Sequence, residues 1–181
     1  MAPLLKPSEC SVVIVERLSD ACVPDDNDSV AVGGSRILEA AALCRLPALF
    51  AAPNHSRPEQ VATTAKPGPI NVPIHDLLPT ASWADSTLGL ALAATNRSSV
   101  LICGYWLDEA VTFTSLHALG EGYDVYLLTD ASPPLEADGR RAAILRLVQA
   151  GIVPTTTKQA IREWAADTID PSLRAKLLAL V

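Results

Sequence analysis

The sequence predicts an α/β fold, a doubly wound and mostly parallel six-stranded sheet with helices on both faces. Three observations carry this expectation. Apolar runs of four to six residues alternate with helical patterns along the chain, as repeated βαβ units do. Residues 99–132 read as strand, tight glycine turn, helix, strand and acidic turn. The helical pattern at 108–119 is just long enough for the crossover that a parallel pair needs. The 181 residues contain no internal repeat and no linker, so one domain over 1–181 is expected, with room for a substantial core.

The elements follow in order. Residues 11–15, SVVIV, are rich in β-branched side chains and form the first strand, ending at Glu16. A loop with Pro24, Asp25, Asp26, Asn27 and Asp28 follows. Ile37, Leu38, Ala41, Ala42 and Leu46 make a helical stripe closed by Pro47. Residues 48–52 form the second strand, broken by Pro53 and Asn54. The third, at 70–74, carries Pro69 and Pro73 and suits an edge position or a short extended segment. Asp85 is a cap for the helix with Leu88, Leu92 and Ala93. Residues 100–103 and 125–128 are the fourth and fifth strands. A helix at 139–150, with a stripe through Ala143, Leu147 and Ala150, stops at Gly151. A short sixth strand starts at Ile152 and Val153. Thr156 and Gln159 have capping-box spacing, leading into a helix through Ile161 and Trp164. Asp170 followed by Pro171 opens the last helix.

The formal charge of −6 and pI of about 5.0 argue against a nucleic-acid or anionic-membrane partner. No apolar run approaches the roughly 18–20 residues that span a bilayer. The N-terminus lacks the pattern of a signal peptide, so a cytoplasmic location is expected. Cys10, Cys22, Cys44 and Cys103 show no CxxC or CxxH spacing and are expected as small buried hydrophobes. Gly33-Gly34 has no following GK or GxxG, which disfavours nucleotide triphosphates and dinucleotides. No cofactor is expected. His55, His75 and His117 form no paired set, so no metal site is expected.

The segment from Gly104 to Val111, GYWLDEAV, followed by GEGYDVYLLTDAS and AAILRLVQAGIVPTTT with Glu163-Trp164, resembles the isochorismatase-like cysteine hydrolases. The likeness runs from Val12 to about Trp164 and is best after Ser99. It implies an Asp-Lys-Cys mechanism, in which the acid takes the thiol proton, the amine steadies charge and the thiolate attacks an amide or related carbon. In the family the cysteine lies six residues after the glycine, where this chain has Ala110. The family aspartate falls at Glu16, one methylene longer. If Trp83 is the family's aromatic before the fourth helix, the basic position falls at Asp76 or Leu77. Lys66, in a basic-Pro-Gly stretch, is the other candidate. Backbone N–H groups near Leu107 to Ala110 would stabilise an oxyanion.

The resemblance therefore implies a catalytic site with Glu16 as retained acid and Ala110 at the place of the missing nucleophile, lined by Trp83, Tyr105, Leu107 and Glu109. Thiol-dependent activity is expected to be absent. Three functions stay open: a degenerate member whose crevice binds a small molecule or partner, a hydrolase of small amides or enol ethers using Glu16-activated water, and a structural subunit. A homo-oligomer is implied by the same likeness. Cys103, beside Gly104, reads as a core thiol. Asp108 reads as a helix cap. Tyr105 and Trp106 could wall a pocket, fill space or pack at a subunit contact.

Overall fold

The computed structural model describes residues 4–16, 29–53, 74–77, 83 and 86–181. Six strands, β1 (Cys10–Val15), β2 (Ala48–Ala52), β3 (Ile74–Asp76), β4 (Ser99–Gly104), β5 (Asp124–Leu128) and β6 (Val153–Thr155), form one sheet in the order β3-β2-β1-β4-β5-β6. Every pairing is parallel. Parallel strands need coverage on both faces, and all six residues of β1 and of β4 are buried.

Side-chain alternation sorts the core into two apolar layers. Val12, Ile14, Leu101, Cys103 and Leu128 point to one face. There they meet Ile37, Ala40 and Ala41 of α1 (Ser29–Cys44), Ile161, Trp164 and Ala165 of α5 (Thr157–Asp167), and Leu177 of α6 (Pro171–Leu178). Val13, Val15, Val100, Ile102, Val125 and Leu127 point to the other. They meet Leu88 and Leu92 of α2 (Thr87–Ala94), Ala118 of α3 (Thr112–Gly120), and Ala143 and Leu147 of α4 (Gly139–Ala150). The fold is doubly wound, as the pattern of strands and helices predicts.

Trp164 is fully enclosed in the first layer, in the same apolar cluster as Cys10. Enclosing a side chain of that size stabilises the fold by roughly 2–3 kcal/mol. Gly33 lies in the first part of α1, where a Cβ would press to 2.6 Å of the Ala131 Cβ. Gly33 thus lets α1 pack closely on the turn at Ala131 that follows β5.

Several element boundaries and caps differ from expectation. The described part of the third strand is Ile74–Asp76, at the sheet edge; residues 70–73 lie outside the described residues, as do Pro24 to Asp28, Lys66 and Asp85. Ser86 caps α2, its hydroxyl accepting from Gly89 N–H at 2.9 Å. Ala42 and Ala150 are exposed, so the α1 and α4 stripes are narrower than the spacing suggested. Thr156 accepts from Gln159 N–H at 3.2 Å, but the Gln159 amide donates to Glu163 at 3.1 Å. The capping box is therefore one-sided. Asp170 caps α6 as expected, accepting from Ser172 N–H at 2.8 Å with Pro171 in the first turn. Among the described residues no helix is long and apolar enough to cross a membrane.

Candidate functional site

The strand order places the site before any side chain is considered. From β1 the chain moves outward to β2 and β3, and from β4 it moves the opposite way to β5 and β6. At the carboxyl ends of the adjacent strands β1 and β4 the two halves diverge, a switch point of the kind at which doubly wound folds bind ligands. Val15 pairs with Gly104 there, so Glu16 and Tyr105 are the first residues beyond the sheet on each side.

Gly104 is required by this approach. Its φ is +125°, and a Cβ would collide with the Val15 carbonyl. Tyr105 N–H donates to that carbonyl at 2.9 Å. A cis peptide joins Tyr105 to Trp106, whose rings meet edge to face at 5.0 Å. The chain then makes a π turn, Leu107–Val111, instead of the regular helix start that sequence suggests. Glu109 within it has φ −123° and ψ −106°, outside the helical region.

Asp108 does not cap this turn. Its carboxylate reaches across to the loop after β5, accepting from Leu135 N–H at 2.7 Å and Glu136 N–H at 3.4 Å. Leu107 N–H donates to Pro133 O at 2.9 Å, and Glu109 N–H to Trp106 O at 3.1 Å. Two of the N–H groups expected to face an oxyanion are thereby committed. From the other side of the loop, Arg140 donates to Thr129 O at 2.6 Å and Ser132 O at 3.1 Å. Turn and loop are one cross-linked unit.

Within this unit Leu107 is fully buried and shapes the turn from beneath. Tyr105 is 8% exposed, Glu109 is exposed, and Ala110 and Glu16 are half-buried. Glu16 N–H donates to Ala51 O at 2.7 Å, which fixes its backbone at the strand end. Ala110, Trp83 and Leu77 pack on the second apolar layer together. Trp83 stacks face to face on His117, with ring centroids 5.4 Å apart, and its indole N–H is buried without an acceptor among the described residues. At the two positions where the resemblance places a basic group, Leu77 joins the apolar layer and Asp76 ends β3.

The thiol of Cys103 is pushed up to about 12, first by burial and then by the charges of Asp130 and Glu16. Those two carboxylates therefore flank the end of β4 from β1 and β5. Asp130 accepts from Thr157 N–H at 2.8 Å and Thr157 Oγ1 at 3.0 Å, tying the β5 end to α5. Burial also pushes Cys10 up to about 12. Neutral thiols of this kind are poor nucleophiles. Among the described residues no three His, Cys, Asp or Glu side chains group to hold a metal.

Sequence reasoning missed the reach of Asp108, the Arg140 clasp, and the Trp83–His117 stack. Each joins residues distant along the chain. The polar residues were visible, but their partners were not.

A glycine-tipped strand, a tight turn into a helix and a doubly wound parallel sheet define the open, doubly wound α/β class of fold. Residues 50–159, more than half of the chain, match the isochorismatase domain. The chain belongs to the isochorismatase family. It is 34% identical over 87 residues to the probable hydrolase YcaC of Escherichia coli, covering 48% of this chain and 37% of that protein. It is 34% identical over 79 residues to the secreted isochorismatase effector Isc1 of Phytophthora sojae, covering 44% and 38%. The aligned stretches thus span little more than a third of these curated relatives. The solved E. coli YcaC, described as an octameric hydrolase of unknown specificity, has a TM-score of 0.76 at 22% identity over 98% of this chain and 90% of that one. YcaC from Pseudomonas aeruginosa, solved with hexane-2,5-diol and covalent acrylamide, gives 0.76 at 21% over 98% and 91%. At those identities the likeness shows the fold.

Proposed function

We propose that this protein, read as one domain over 1–181, is an isochorismatase-family member without thiol chemistry that keeps the switch-point crevice to bind a small molecule. What supports the reading is a methyl group, that of Ala110, at the position the resemblance assigns to the family nucleophile, together with Cys10 and Cys103 buried in strands and held neutral. Cys44 closes α1 at the opposite end of the sheet. Losing the nucleophile of a coupled catalytic set forfeits about a million-fold in rate in the serine-protease precedent. In this reading Glu16 supplies a carboxylate to the ligand, and Trp83, Tyr105 and Glu109 border it. The octameric E. coli YcaC supports a homo-oligomer. The composition supports a cytoplasmic location.

The test pairs the native protein with Ala110→Cys. P. aeruginosa YcaC carries covalent acrylamide, so acrylamide is the probe. The variant is expected to be modified at residue 110 faster than at its native cysteines, while the native protein turns over no small amide or enol ether. An unreactive thiol at 110 would remove the inherited pocket from the reading. Amide turnover by the native protein that disappears in Glu16→Gln would replace it with hydrolysis by water: the carboxylate takes a proton from water as the water oxygen adds to the amide carbonyl carbon, and returns that proton to the amine nitrogen as the C–N bond breaks.

A further inference from the structure

An open hollow of about 410 Å³ lies between the end of α1 and the start of α6, lined by half-buried Leu43, Cys44 and Leu173 and by exposed Arg45, Asp170, Ser172 and Lys176. α1 descends from the carboxyl end of β1 to the amino end of β2, so this hollow is at the end of the sheet remote from the crevice.

Arg45 closes α1 in an unusual way. Leu46 N–H donates to Ala41 O at 2.8 Å and Arg45 N–H to Ala42 O at 3.1 Å, a Schellman closure with Arg45 at φ +56°. Glycine holds that position without strain. Here an arginine occupies it, and Arg45 is one of the residues that line the hollow. On the facing wall Ser172 and Lys176 are four residues apart on one side of α6. Neither Arg45 nor Lys176 forms an ion pair with a described residue. Asp170 gives one carboxylate oxygen to Ser172 N–H, leaving the other for a second donor. The lining charge is +1 in a chain of −6, which favours an anion over a cation. Leu43 and Leu173 provide apolar flanks.

We propose that this hollow is a second binding site, for a small carboxylate that bears a hydrogen-bond donor on the adjacent carbon and a short apolar tail. Arg45 and Lys176 take the carboxylate from opposite walls, as charge-assisted hydrogen bonds. Asp170 accepts from the neighbouring donor, and the tail lies against Leu43 and Leu173. The site uses no residue of the crevice and stands independently of the function proposed there.

Cys44 reports on occupancy, because it is one of the residues that line the hollow. The probe is 2-hydroxy-4-methylpentanoate, with its neutral amide as control. Iodoacetamide modification of Cys44, followed by peptide mass mapping at mildly alkaline pH, is expected to slow several-fold and saturably with the acid and to be unchanged by the amide. Arg45→Gly separates binding from folding. It relieves the left-handed backbone, so the variant melts at or above the native temperature while losing the protection. Protection that survives Arg45→Gly, equal protection by the amide, or an unchanged Cys44 rate in the acid each overturns the proposal.

Discussion

Raising the pH weakens this fold through Cys103, and the effect can be sized. The thiol is enclosed at the end of β4 and pushed up to about 12, against 9.0 for an ordinary cysteine. In the unfolded chain it ionises near the ordinary value, while in the native protein it stays neutral. The unfolded state therefore sheds its proton first as pH rises. Stability from this group is full below pH 9.0, falls as pH climbs above it, and is exhausted near the folded value of about 12. Linkage gives a loss of about 2 kcal/mol between pH 7 and 10.5. Urea unfolding of the native protein and of Cys103→Ala at both pH values isolates the contribution, since other titrating groups cancel in the difference. The variant is less stable at pH 7 by about 1–2 kcal/mol for lost packing. The gap should close at pH 10.5. A gap unchanged with pH would mean that the thiol ionises alike in both states, and the argument that burial makes it inert would fail with it.

Gly104→Ala is expected to cost about 3 kcal/mol or more, because the added methyl meets the Val15 carbonyl at a φ that L-residues avoid. For a chain of this size the melting temperature then falls by about 6–12 °C; an unshifted melt would show that β1 and β4 approach less closely there. Asp108→Ala removes the bonds to Leu135 and Glu136, for about 1–2 kcal/mol. Amide exchange at Leu135 should accelerate selectively, and exchange as slow as in the native protein contradicts the cross-link.

The sheet was legible because its strands are short apolar runs punctuated by proline, glycine and asparagine. The 48–52 strand and the 139–150 helix have the boundaries that their sequences indicate. Caps were legible where donor and acceptor sit two or three residues apart, as at Thr156 and Asp170. The α2 cap fell one residue away, at Ser86, since adjacent Asp and Ser offer the same chemistry and only geometry chooses. The π turn carried no periodic signal. Five residues are too few to show a repeat, and its shape depends on contacts with the loop near Pro133. Asp108 looked like a local cap for the same reason. An acid near a helix start has a nearby partner by default, and a partner 27 residues away leaves no trace in spacing.

The place where β1 and β4 part company is made of main chain. Its opening comes from the direction in which each half of the polypeptide travels, and its floor from a glycine lying against a carbonyl. The side chain of Ala110 contributes to neither. A junction whose shape is set by chain path and backbone contact tolerates changes in the side chains around it without rebuilding of the sheet.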